Sequence, residues 1–402
     1  MPIYKLYLHV PTALFVFAFG AIVGSFINVV IYRLPAGMSV ISPPSRCPFC
    51  GVRLAWYDNM PILGWLIVRG RCRTCKAPIS PQYMLVEAFM ACLFLGLYAA
   101  FYIAGPVPNW WWGQVGGDWW FYNGPFRTPP AFLALILMLA GLVAMTIIDA
   151  RTFTIPMGIP RVLTIVAFVA WPLQALFPPD SRAVGLWPIH TTDWHWFAVA
   201  ACGMAGVLLA WGLLCRRIIR YSFDDYDKYV PDGQVIGDYP HARREMGVEM
   251  LFLLPVVTGL TAGHFIGNVL PATAPPVIIQ ALGGSLIGYL CGAGLVWAVR
   301  ILGTLGFGKE AMGLGDVHLL GAIGAVLGWV DPIWIFFLAP FFGLSWAVVS
   351  MGMSSVFKLR RVPLPYGPHL AMATLVVIFC RPAVNWVQSI YLPGLPTPAL
   401  MP

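Results

Sequence analysis

The sequence predicts an all-α fold, a polytopic transmembrane helix bundle of nine to ten helices that carries a small cytosolic zinc-ribbon-like loop. Three observations lead there. Of 402 residues, 59% are hydrophobic and only 10% are charged, which is more apolar than a soluble globular chain. Ten runs are apolar enough for helices at roughly 11–32, 83–104, 131–148, 162–178, 195–215, 250–270, 277–299, 316–330, 333–352 and 369–390. At least nine of them approach the roughly 20 residues needed to cross a hydrocarbon core of about 30 Å. The loops between these helices alternate between two sides, and 20 of the 24 Lys and Arg fall on one of them. The other side holds Lys5, Arg127, Arg182 and Arg381. The positive-inside rule assigns the five basic loops to the cytosol and both termini to the exterior. The net charge of +8 therefore reports membrane topology, with lipid as the surrounding medium, and not a nucleic-acid partner.

The first apolar run, Thr12 to Tyr32, is too long for the apolar core of a signal peptide, and no small-residue cleavage site precedes Arg33; it is read as a retained helix. Residues 11–104 form an N-terminal unit that contains the first long cytosolic loop. In that loop Cys47 and Cys50 form one CxxC pair, and Cys72 and Cys75 another, with 21 residues between the pairs. Each CxxC makes a tight knuckle that places two thiolates on one ion, and two knuckles complete a tetrahedral S4 site with no open position, a structural zinc site. Arg46, Arg53, Arg71, Arg73 and Lys76 nearby favour thiolates. Disulfides are the alternative, but the charge pattern puts the loop in the reducing cytosol. Asp58 and Glu87 are the acids in or beside this cationic loop. Glu87 opens the second helix, where it serves either as a dipole partner of the helix N-terminus or as a contact for a basic peptide or methyl donor. The exterior loop from Gly105 to Pro130 carries Trp110, Trp111, Trp112, Trp119 and Trp120 and is read as an interfacial anchor.

The remaining membrane unit, 131–390, includes a helix pair and polar loop at about 195–270 that look inserted. Two aspartates at its cytosolic boundary require explanation, because acids at membrane helix ends are expensive. Asp316 opens a helix, where capping alone accounts for a carboxylate. Asp149 closes one, where the dipole disfavours an anion. Two such carboxylates brought together share one proton, which is the arrangement of an aspartic protease. Gly313 and Gly315 beside Asp316 leave room for an extended substrate backbone.

The segment GLGDVHLL around Asp316 resembles the GxGD motif of the type IV prepilin peptidases, which are membrane aspartic proteases. Further blocks resemble that family in the family's order: GSFINVVIYRLP at Gly24–Pro35, the double CxxC loop, WYDNMPILGW at Trp56–Trp65, RGRCRTCKAPIS at Arg69–Ser80, IIDARTFTIP around Asp149, and LPYGPHLA at Leu364–Ala371. The resemblance implies that Asp149 and Asp316 form the catalytic pair. It implies cleavage after a glycine between a short basic leader and an apolar helix, in type IV pilin or type II secretion pseudopilin precursors, at the bacterial inner membrane. It makes Pro365 and Gly367 candidate substrate contacts. It also implies N-methylation of the new N-terminus with S-adenosylmethionine, an activity tied to the N-terminal region. Three departures stand out. His318 occupies the usual lysine position, the chain has more helices than the family's eight, and TFTIPMGIP lacks an acidic residue near its proline.

Two other classes compete. Asp224, Asp225, Asp227, Asp232 and Asp238 suggest a Mg²⁺-dependent membrane transferase, although their spacing forms no regular ladder. A transporter would hold its ionisable groups at the midplane of broken helices.

Overall fold

The computed structural model describes residues 3–105, 115–225, 228–229, 239–357 and 365–391. Among them the fold is helical, with two isolated β-bridges in the cysteine loop. The helices are α1 (Ile3–Arg33), α2 (Leu63–Ile67), α3 (Gln82–Tyr98, continued by one wide turn to Ile103), α4 (Gly117–Arg127), α5 (Pro129–Thr152), α6 (Gly158–Gln174), α7 (Trp194–Cys215), α8 (Ala242–Gly267), α9 (Val277–Phe307), α10 (Leu314–Leu327), α11 (Val330–Phe357), α12 (Tyr366–Phe379) and α13 (Arg381–Tyr391).

Seven helices are long and apolar enough to cross a membrane, and the bent pair α12–α13 brings the number to eight if taken as one span. The two other expected spans, α6 with 17 residues and α10 with 14, are shorter than the expectation. At 1.5 Å per residue α10 reaches about 21 Å, less than the hydrocarbon thickness. The last expected helix, 369–390, is broken, with an 88° bend between α12 and α13. Pro382 explains the break, since it lacks a backbone donor and disfavours helix at the residue before it. That residue, Arg381, is fully buried and forks onto Asp331 at the start of α11, at 2.7 and 2.6 Å.

Helices pair where small residues let backbones approach. A Cβ added to Gly20 or Gly24 of α1 would lie 2.8 or 2.7 Å from the backbone of α3, at the Met90 carbonyl and the Glu87 Cα. Along α7 and α8, Gly263 faces the Ala198 carbonyl, Gly259 that of Cys202, and Gly206 that of Pro255, so the pair forms one tightly packed hairpin. α10 packs in turn against α9, α6 and α5, and α12 against α5 and α11. The C-terminal end of α5 and the N-terminal ends of α10 and α12 converge by this packing.

The tryptophan-rich loop departs from its expected role. Trp119 and Trp120 lie on α4 and are buried, at 5% and 0% exposure. They pack on each other, on Phe101 and Tyr102 and on Trp187, so they serve a protein core and not the lipid interface. Aromatic area is worth more against complementary rings than at a headgroup boundary. Trp110, Trp111 and Trp112 lie outside the described residues, as do Asp227, Asp232, Asp238, Lys358, Arg360, Arg361 and Leu364.

Candidate active site

Asp149 occupies the last turn of α5 and Asp316 the first turn of α10, at 4% and 7% exposure. α5 ends because Phe153 turns left-handed (φ 54°) and returns its N–H to the Asp149 carbonyl at 2.8 Å. The chain then doubles back through Ile155. α10 begins from extended Gly313, whose carbonyl accepts the Asp316 N–H at 3.2 Å. α12 begins from extended Pro365.

Two glycines flank the two carboxyl groups. The backbone of Gly313 lies beside the Asp316 carboxyl and that of Gly367 beside the Asp149 carboxyl, where an added Cβ would fall 3.4 Å from Asp316 Oδ2 and 2.5 Å from Asp149 Oδ2. Ile155 packs between the three segments. A Cβ on Gly315 would lie 2.8 Å from the Ile155 Cβ, and one on Gly367 would lie 3.4 Å from the Ile155 Cδ1. The structure thus brings Asp149 and Asp316 within electrostatic reach of one another. Tyr366 donates to the Phe336 carbonyl at 3.3 Å. Asp316 Oδ1 is buried and has no hydrogen-bond partner among the described residues. Two buried acids at neighbouring helix ends, one of them with an unsatisfied oxygen, form a centre suited to proton exchange.

The other sequence candidates fall elsewhere. Glu87 is buried in α3, and its Oε2 accepts the Ile62 N–H at 2.7 Å. That bond fastens the cysteine loop to α3 at Ile62, which has a left-handed backbone (φ 62°). Asp58 is held by Arg73 in a fork with distances down to 2.6 Å, so both acids have partners inside the N-terminal unit. His318 pairs with the Tyr289 hydroxyl on α9 at 3.4 Å. In the polar loop Asp225 accepts from Tyr239 at 2.5 Å, and Glu245 accepts from Arg220 and from the Phe223 amide. Local pairing of this kind takes up carboxylate oxygens that a Mg²⁺ ion would need.

Cys47, Cys50, Cys72 and Cys75 do converge. Their sulfurs all lie within 4.8 Å of one another, with Cys47–Cys75 at 3.8 Å and Cys50–Cys72 at 4.0 Å. The edge of a tetrahedron built on metal–sulfur bonds of about 2.3 Å is about 3.8 Å. The two knuckles repeat one geometry. Gly51 and Lys76, each one residue past its CxxC, have φ of 70° and 58° and return their amides to Cys47 and Cys72 at 2.9 and 3.0 Å. Backbone amides of Cys75 and then Thr74 lower the Cys72 thiol to about 6. Among the described residues these cysteines are the one group of three or more His, Cys, Asp or Glu able to share an ion.

Two families match the chain, Bacterial Peptidase A24 N-terminal domain over residues 18–101 and Type IV leader peptidase family over residues 249–348. Over these two stretches the chain is similar to the type IV leader peptidases. The second matched stretch contains Gly313, Gly315 and Asp316, while Asp149 lies between the two. That stretch also begins inside α8, within the segment 195–270 that sequence alone reads as inserted. Among the leader peptidases, the chain is 52% identical over 89 residues to the prepilin leader peptidase/N-methyltransferase of Myxococcus xanthus, covering 22% of this chain and 27% of that protein. It is 36% identical over 176 residues to that of Klebsiella pneumoniae, covering 42% and 66%. It is 27% identical over 383 residues to that of Stutzerimonas stutzeri, covering 89% and 87%. The chain thus spans less than two thirds of the first two relatives' lengths in these alignments and most of the third's. No solved structure matches.

Sequence reasoning missed three residues beside this site. Arg300 of α9 is 1% exposed and is bound to Glu249 of α8 and to Glu310 of the loop before α10. The signal was present, since Glu249 and Arg300 are opposite charges at the ends of apolar helices, where each needs a partner. Their pairing joins helices distant in sequence, and no spacing rule reveals it.

Proposed function

We propose that this chain removes the leader from prepilin-type precursors, type IV pilins or type II secretion pseudopilins, with Asp149 and Asp316 as the catalytic pair. The observation that carries the reading is the convergence of two buried carboxyl groups from different helices, each with a glycine packed against it. In such a pair one carboxylate takes a proton from water while the other carboxyl group donates one to the scissile carbonyl, with no covalent intermediate. Gly315 makes room for Ile155 beside the two acids, not for substrate, whereas Gly313, Pro365 and Gly367 present backbone to an extended substrate. The names of the relatives support the same reaction and add N-methylation of the new N-terminus. The basic loops support an active site facing the cytosol in a multi-pass inner-membrane protein.

Zinc fits the four sulfurs by distance and by donor type, and Cys47, Cys50, Cys72 and Cys75 would hold it. Four thiolates leave no open position, so the ion orders the loop and takes no part in bond cleavage. For S-adenosylmethionine, a cleft of about 300 Å³ lies between α1, α3 and the end of α5, lined by Asn28, Tyr32, Gln82, Tyr83 and Arg151 among others. Tyr32 and Tyr83 match the purine ring of S-adenosylmethionine and Arg151 its carboxylate, and the molecule when bound supplies the methyl group.

The test is expression with a pilin precursor and the wild-type, Asp149→Ala or Asp316→Ala protein, with precursor and mature forms separated by gel and the mature N-terminus read by mass spectrometry. Either variant, present at wild-type level in the membrane, is expected to leave the precursor uncut. Normal processing by either variant would falsify the dyad.

A further inference from the structure

We propose that Arg300 is a positioning residue for this reaction, which fixes the Met312–Gly313 peptide beside Asp316 and ties it to Glu249 at the foot of the α7–α8 hairpin. The inference rests on the reading of Asp316 as catalytic. It starts from the donors of one buried guanidinium. Nε and Nη2 of Arg300 fork onto the Glu249 carboxylate at 2.8 to 3.0 Å. Nη1 reaches Glu310 Oε1 at 2.5 Å and also donates to the Met312 carbonyl oxygen. Phe223 covers the guanidinium at 5.3 Å. Trp297 completes the Glu249 carboxylate with a bond of 2.8 Å to Oε2.

The Met312 carbonyl and the Gly313 N–H belong to one planar peptide unit and point in opposite directions. Arg300 holds the carbonyl end, while Gly313 accepts the Asp316 N–H at 3.2 Å and lies beside the Asp316 carboxyl, where an added Cβ would fall 3.4 Å from Oδ2. Rotation of this peptide would shift Gly313 against the carboxyl group, and the charged donor at the carbonyl opposes that rotation. Such a donor also polarises the peptide and strengthens its N–H as a donor. The loop has a second anchor, the Ala311 N–H to Thr304 Oγ1 at 3.1 Å, which fixes its path but not the orientation of the next peptides.

The far end of the clamp is Glu249, and the hairpin is docked beside it. Arg243 of α8 donates to the Leu305 and Gly306 carbonyls at the C-terminal end of α9, at 2.9 and 3.2 Å. The α7–α8 hairpin therefore acts on the site through Arg300. A buried Arg–Glu pair adds little net stability over apolar residues of similar volume, whereas a planar fork that holds three acceptors fixes direction.

The test uses the full-length protein in detergent and a synthetic peptide with a short basic leader, a glycine and an apolar segment. Arg300→Lys keeps the charge and loses the fork. Glu249→Gln with Arg300→Met replaces the ion pair without leaving Glu249 charged. Thermal unfolding and steady-state kinetics are measured for both. The expected result is about a tenfold or greater fall in kcat with KM within about twofold of wild type, in protein that melts within a few degrees of it. Wild-type kcat in either folded variant overturns the proposal. So does a change confined to KM, or the failure of both variants to fold, which would assign the cluster to stability alone. Asp316→Ala run in parallel separates the two levels. If it retains activity, the catalytic reading itself fails, whereas an inactive Asp316→Ala beside fully active Arg300 variants removes only the positioning role.

Discussion

The Gly367 backbone lies against the Asp149 carboxylate so closely that a Cβ at residue 367 would fall 2.5 Å from Asp149 Oδ2. This contact joins the C-terminal end of α5 to the first turn of α12, and it makes the position of one carboxyl group depend on the absence of one methyl group.

Gly367→Ala should therefore displace Asp149 or tilt α12. Helix propensity favours alanine by about 1 kcal/mol, and overpacking costs about 1 to 3 kcal/mol, so the protein is expected to fold with a small loss. Peptidase activity is expected to fall by about a hundredfold, since displacement of a reacting group by about 1 Å has that effect. Initial rates on a precursor peptide, beside a melting curve, check both statements.

His318 follows Asp316 by two residues, yet its Nδ1 pairs with Tyr289 on α9. His318→Gln retains a hydrogen-bonding group there and is expected to keep kcat within about threefold of wild type, in line with a packing role. A loss of two orders of magnitude in stable protein would instead put the imidazole in the chemistry.

The cysteine loop should respond to metal and to pH. The Cys72 thiol is lowered to about 6, so its thiolate form contributes stability that is complete above the ordinary thiol range and is lost as pH falls through about 6. Zinc uptake by metal-stripped protein is expected to weaken as pH drops through that value, because protons then compete for the ligand. Cys72→Ser should lower bound zinc and protein level together, measured by metal analysis and immunoblot, while surviving protein keeps substantial peptidase activity.

The Arg381–Asp331 pair, fully buried at the junction of α13 and α11, offers a test of how far a buried ion pair stabilises the bent span. Arg381→Ala leaves Asp331 charged and alone, at a cost of about 3 to 5 kcal/mol, whereas Arg381→Met with Asp331→Leu is expected to be nearly neutral. Thermal unfolding of Arg381→Met, Asp331→Leu and the double variant in detergent gives the coupling.

Much of this protein was legible in its sequence because the signals are local. Apolar run length located the long helices, although one end of α1, α8 and α9 lies eight residues from the expected bound, and two CxxC pairs announced a four-sulfur cluster that the structure closes to distances suited to a metal. The same reading found Asp149 and Asp316 suspicious, because a charge at the end of an apolar helix needs a reason wherever its partner lies. Tertiary structure alone decided which faces meet. It took Trp119 and Trp120 into an aromatic core and turned Glu87 to the Ile62 amide. It broke the last span where Arg381 finds Asp331. It also brought Gly313 and Gly367 beside the two carboxyl groups and closed Arg300 onto Glu249 and the Met312 carbonyl. The physical reason is the same in each case. Composition and periodicity say that a buried polar group must be satisfied, but its partner comes from another helix whose rotation and depth are set by the packing of the whole bundle.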